Sequence, residues 1–194
     1  MQPVMPRSAA RPARVERADR ERLAKRKAEA VKEAKSASSS KYHVPVYEVR
    51  LVQSRRPLRL AEECVADPRS AARALHALIG LTDREHFACL FVNSRHHVTG
   101  AHIAAIGAQH AISTIDVRVV LRAALAACAT AIILGHNHPS GDASPSVEDI
   151  ATTETIMRAA NVLTIPVLDH IIVTRDEHRY HSMLDSGVLP KVSR

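Results

Sequence analysis

Tryptophan is absent from this 194-residue chain and aromatic residues make up only 3% of it, so a core built from its 46% hydrophobic content has to be aliphatic. Cysteine is scarce as well. Cys64, Cys89 and Cys128 are odd in number, far apart and set among apolar neighbours, which argues against a disulfide framework or a thiolate zinc site and reads as buried free thiols in a reducing compartment. No run approaches the roughly 18 apolar residues of a transmembrane helix, and the N-terminus lacks the apolar core of a secretory signal. The expectation is a soluble, cytoplasmic protein with no membrane partner. The six glycines include no Gly-rich phosphate loop. Two zinc chemistries also fall for want of motifs, since there is no His-Glu-x-x-His and no His-x-Glu with a Pro-Cys-x-x-Cys of deaminase type.

What the chain does have is a net charge of +7, and it is unevenly placed. Residues 1–41 carry 12 Lys and Arg against 5 Asp and Glu, whereas from Tyr42 onward the two classes balance at 15 each. The first 41 residues are good helix formers with almost no apolar stripe beyond Leu23 and Val31, so they read as a basic, partly helical or disordered arm. Contact with phosphate backbones or an acidic partner is the sharper alternative for that arm.

Residues 42–194 read as one domain. Val44 to Leu51 alternate as a strand, and Asp67-Pro68 caps a helix through Ile79 that Gly80 ends. His76 on it reads as a surface or satisfied histidine. Residues 82–107 form two strands around a turn at Asn93-Ser94, with Glu85 just before the first and, on pattern alone, a solvated charge. His96, His97, His102 and His110 have no partners at ligand spacing and read as hairpin and edge residues. Asp116 caps a helix burying Val119, Val120, Ala123, Ala124 and Ala127. A later helix over 147–161 turns Ile150, Ile156, Met157 and Ala160 inward, and residues 165–174 make a buried strand before a short terminal segment at Arg179 to His181. Alternating strands and helices imply an α/β layered domain with a mixed β-sheet flanked by helices.

The chemistry concentrates in residues 131–150, AIILGHNHPSGDASPSVEDI. The apolar run Ala131 to Leu134 predicts a buried strand ending at Gly135 and delivering His136 and His138 to its C-terminal end. Pro139, Ser140 and Gly141 turn the chain. Ser144-Pro145 then opens a helix with Ser146 and Asp149 three residues apart on its first turn. Two imidazoles and a carboxylate can converge, and three nitrogen and oxygen ligands with a place left for water describe a catalytic zinc site better than a structural one. Ser-x-x-Asp is also a capping box, but Ser144 and Pro145 partly relieve it of that duty.

With Glu85, His136, His138, Ser146 and Asp149 assembled, the chain resembles the JAB/MPN (JAMM motif) metalloprotease superfamily, whose signature is a glutamate followed at a distance by His-x-His-Pro and Ser-x-x-Asp. More narrowly it resembles the RadC branch, through Asn137 between the histidines, the run HNHPSG, and Leu168-Asp169-His170 before an apolar strand. The resemblance covers about Tyr42 to the C-terminus. It implies an MPN/JAB-like, deaminase-like layered fold, one zinc ion per chain on His136, His138 and Asp149, and Glu85 as the base that takes a proton from the metal-bound water. Ser146 would donate to that water or to the developing oxyanion. Asp169 or Asp142 would serve behind the histidines, each of which needs a partner for its second ring nitrogen.

The leading expectation is therefore a zinc-dependent hydrolase of peptide or isopeptide bonds acting on a peptide or protein-conjugate substrate. The alternative is a DNA-associated repair or recombination accessory of RadC type that uses residues 1–41 on nucleic acid; the RadC helix-hairpin-helix region has only the basic arm in its place here. A non-catalytic MPN scaffold ranks third, since the ligands are kept. Substrate identity and oligomeric state are not written in these motifs.

Overall fold

Phe87, Cys89 and Phe91 bury themselves on one side of strand β1 (His86–Val92), and Ala88, Leu90 and Val92 on the other. A strand apolar on both faces has to lie between helical layers. The structure, a computed structural model, describes residues 21, 24–29, 44–48, 52–54, 57–107 and 115–191. The chain divides into two units, Met1–Glu48 and Val49–Arg194. In the first, residues 24–29 are helical and exposed. Apart from residue 21, the rest of the arm, and His110, lie outside the described residues. No helix among the described residues is long and apolar enough to cross a membrane.

In the second unit β1 joins β2 (Val98–Ile106), β3 (Ala131–Asn137), β4 (Val167–Val173) and β5 (Tyr180–Ser182) in a five-stranded sheet of order β2-β1-β3-β4-β5. Only β3 and β4 run parallel, which makes the sheet mixed. A parallel pair requires a crossover, and helix α3 (Val147–Val162) supplies it, after α1 (Pro68–Leu75) and α2 (Val117–Ala126). Leu75 and Ala71 of α1 pack with Leu90, Ile133 and Ile171 on one face. Val120 and Ala124 of α2 and Ile156 of α3 pack with Phe87, Ile132 and Leu134 on the other. This is the α/β architecture with a mixed sheet and flanking helices that the sequence implies.

Local chemistry explains the helix ends and one close approach. Asp67 accepts from Ser70 N at 2.7 Å and closes a capping box, with Pro68 in the first turn, so α1 starts where its sequence says. Past Leu75 the chain widens into a π turn, His76–Gly80, and His76 Nε2 meets Arg175 O at 3.1 Å. Gly135 lies inside β3 because Leu75 packs on it: a Cβ there would fall 2.5 Å from Leu75 Cδ1. The expectation that β3 ends at Gly135 is corrected accordingly. The strand continues through Asn137, and the glycine marks the crossing of α1.

Other expectations shift as well. Val44, Val46 and Tyr47 form no strand and are exposed; Pro45 removes a ladder donor, and alternation alone does not create a partner. On α2 Leu121 is buried while Val119 is only half-buried. Of the thiols only Cys89 is buried, Cys64 being half-buried and Cys128 exposed.

Candidate metal centre

Residues alternate across β3, so Ile132, Leu134 and His136 face α3 while Ile133, Gly135 and Asn137 face α1. Helix α3 begins at Val147 with Ser146 as its N-cap, later than the expected Ser144-Pro145 opening. Ser146 and Asp149 do form the capping box: Asp149 N donates to Ser146 Oγ at 3.1 Å and Ser146 N to Asp149 Oδ2 at 2.8 Å. The cap is what aims the carboxylate, because Asp149 in the first turn points back past the helix start toward the end of β3. Structural and ligand duties are therefore combined in one pair of residues.

His136, His138 and Asp149 come together with their ligand atoms within 4.8 Å of one another. His136 Nε2 is 2.9 Å from His138 Nε2 and 3.3 Å from Asp149 Oδ1, and His138 Nε2 is 3.8 Å from Asp149 Oδ2. A tetrahedral zinc ion at about 2.0–2.1 Å from each ligand spaces neighbouring ligand atoms by roughly 3.3 Å, and these distances straddle that value. His138 Nδ1 meets the backbone oxygen of Asp142 at 2.6 Å, so it is the protonated nitrogen and Nε2 keeps its lone pair for a cation. The donor set fits a metal ion. Burial by itself would raise the Asp149 carboxyl, but the hydrogen bond and charge of His136, with the bonds from Ser146, hold it well below the usual carboxylate range.

Behind the candidate ligands stand His170, quoted from the sequence only as a family mark, and Thr153, which sequence reasoning missed. His136 Nδ1 lies 2.8 Å from His170 Nε2, and His170 Nδ1 lies 2.5 Å from Thr153 Oγ1. Both partners are fully buried, and burial drives the His170 pKa well below its ordinary value. Phe87 walls this cluster, stacked on His136 at 6.3 Å between ring centroids and edge-on to His170 at 5.4 Å. A histidine inside the apolar run LDHIIV was the available signal, since a buried imidazole needs a partner. Asp142 does stand behind His138, through its backbone oxygen. Asp169 is not the ring partner of His136 or His138: its carboxylate accepts from Ser182 Oγ at 2.6 Å, Leu184 N at 2.9 Å and His170 N at 2.7 Å and ties β4 to the C-terminal turn.

Glu85 is half-buried in the segment leading into β1, and its backbone oxygen accepts from Gly107 N at 2.8 Å. It is outside the group of converging ligand atoms. Phe87, two residues further on, is the register partner of His136. Asn137, between the histidines and 1% exposed, fixes that segment: His86 N donates to its Oδ1 at 2.7 Å and its Nδ2 donates to Arg84 O at 3.0 Å. Ser146 is exposed and its hydroxyl donates to Asp149 Oδ2 at 2.6 Å.

Known proteins are similar to this chain over the same span. The model of the RadC-like JAB domain family matches residues 65–188. A UPF0758 protein of Gloeothece citriformis is 36% identical over 124 residues, covering 64% of this chain and 50% of its own length. A UPF0758 protein of Listeria monocytogenes is 36% identical over 126 residues, 65% of this chain and 55% of its own. One of Bacillus cereus is 34% identical over 135 residues, 70% of this chain and 56% of its own. The chain thus spans about half the length of the curated relatives it matches. With the ligand geometry, the mixed sheet and the matched span in agreement, the chain belongs to the RadC-like JAB domain family.

Proposed function

We propose that this protein is a zinc-dependent hydrolase of peptide or isopeptide bonds. The observation that carries the reading is the convergence of His136 Nε2, His138 Nε2 and the Asp149 carboxylate within 4.8 Å at the mouth of β3. Three protein ligands of this kind leave a position for water, as catalytic zinc sites do and structural ones do not. Zinc bound there acts as a Lewis acid and brings the pKa of its water to about 7. The chain's own residues do the rest. Glu85 accepts a proton from the attacking water at its carboxylate and returns it to the nitrogen of the leaving amine. Asn137 holds the peptides on either side of Glu85, with His136 before it in β3 and His138 just past the strand's end. Ser146 orients the Asp149 carboxylate through its hydroxyl and is the donor nearest to hand for a developing oxyanion.

Zinc analysis of the purified protein, combined with a screen of peptide and isopeptide substrates, tests this. Glu85→Gln is expected to retain zinc and lose turnover by about 10²–10⁴-fold, the usual worth of a general base. Turnover retained by that variant removes Glu85 from the mechanism, and a wild-type protein that binds no zinc removes the reading.

The placement of charge supports a second reading for the arm, contact with nucleic acid, since the whole net charge of +7 resides in residues 1–41. Deleting those residues is expected to abolish DNA binding together with its salt dependence, and unchanged binding dismisses it.

A further inference from the structure

We infer that His170 and Thr153 are positioning residues that select the metal-binding tautomer of His136, through a hydrogen-bond chain that starts on one ligand and ends on the backbone of another. The inference deepens the proposed zinc site and rests on it. A ligand nitrogen must offer a lone pair, so for His136 Nε2 to face a cation its single ring proton has to sit on Nδ1. That proton meets His170 Nε2 at 2.8 Å, which must then be the acceptor. With Nε2 accepting, the ring proton of His170 sits on Nδ1, which faces Thr153 Oγ1. Thr153 accepts it and donates its hydroxyl proton to the backbone oxygen of Asp149 at 2.6 Å, a group that can only accept. Each link leaves the next one direction, and no member is left unpaired.

Two features make this more than packing. The usual partner behind a ligand histidine is a carboxylate, a carbonyl or water, each of which accepts without having to choose a tautomer. A second imidazole accepts only while its far nitrogen is protonated, which makes Thr153 necessary to the arrangement. The chain is also sealed. His170 and Thr153 have no exposed surface, and Phe87 covers the two rings, so water cannot replace a missing member without entering an apolar wall. The reverse direction, with His170 donating to His136 Nδ1, would put the His136 proton on Nε2 and block the cation position. Only one of the two directions is compatible with a metal.

The test measures Zn²⁺ affinity by competition with a chromophoric chelator, and thermal melting of the metal-free proteins, for wild type, Thr153→Val, Thr153→Ser, His170→Leu and His170→Gln. Thr153→Val keeps the side chain's shape and removes the hydroxyl; it is expected to weaken Zn²⁺ binding 10–100-fold, the range seen when such supporting partners are lost. Thr153→Ser restores the hydroxyl and is expected to bind within a few-fold of wild type. His170→Leu should lose at least as much as Thr153→Val, and His170→Gln, with an acceptor near the former Nε2, should recover part of it. Nitrogen-detected NMR of the zinc-loaded wild type should show the His170 proton on Nδ1. Wild-type affinity in a folded Thr153→Val, or a His170 proton found on Nε2 in the loaded protein, overturns the inference while leaving the zinc site standing. A wild type that does not bind Zn²⁺ removes the site itself and the inference with it.

Discussion

At the scale of single residues, Asn137 makes a test that needs no substrate. Its carboxamide is filled at both ends by backbone groups of residues 84 and 86, and it is almost wholly buried. Asn137→Ala would remove the partners of His86 N–H and Arg84 C=O in a part-buried setting, so urea denaturation of the metal-free protein should show a loss of about 1–2 kcal/mol. Stability equal to wild type would show that solvent reaches those groups. The converging group itself was legible beforehand, because His-x-His at a strand end and a carboxylate in the next helix's first turn can meet by spacing alone. Glu85 enters only through family resemblance, since nothing local distinguishes a glutamate before a strand from a solvated charge. The pairing of His170 with Thr153 escaped notice for a different reason. A polar residue inside an apolar stripe reads as an interruption until its partner, 17 residues away, is placed against it.

At the scale of elements, the start of α3 joins stability to ligand geometry. Ser146→Ala removes the N-cap acceptor for Asp149 N, expected to cost ~1 kcal/mol, and also the hydroxyl that orients Asp149 Oδ2. The variant should therefore show both a lower urea midpoint and weaker Zn²⁺ binding; a fall in stability with unaltered affinity would confine Ser146 to capping. Helix α1 offers a pH test at its own cap. Backbone hydrogen bonding from Ser70 N holds the Asp67 carboxyl below its ordinary 3.8, so the folded state binds protons less readily than the unfolded one. Its contribution is present above 3.8 and is lost as pH falls through the folded value. Asp67→Asn keeps an acceptor but does not titrate, and its acid limb below pH 4 should be shallower than that of wild type. Caps were readable because Asp-Pro and Ser-x-x-Asp act locally. The extent of β3 was not, because Gly135 breaks a strand pattern for the sake of Leu75, some sixty residues earlier in the chain.

At the scale of the whole second unit, a sheet covered on both faces makes Cys89 a reporter of global unfolding. It lies in β1 between β2 and β3, with no exposed surface, and burial pushes its thiol up to about 12 from 9.0. Between those values the unfolded chain has released the thiol proton while the folded chain still holds it. Stability must then fall as pH rises through that window and is fully present below it. The difference is worth at most ~4 kcal/mol, large against the 5–15 kcal/mol of a typical domain. Cys89→Ala should be about 1 kcal/mol less stable than wild type at pH 7, for the lost packing, yet lose less stability between pH 9 and 11. The two proteins differ only at residue 89, so the gap between their curves of urea midpoint against pH isolates the thiol. Parallel curves would mean that β1 opens without global unfolding, and that the edge strand β2 peels from the sheet before the core gives way.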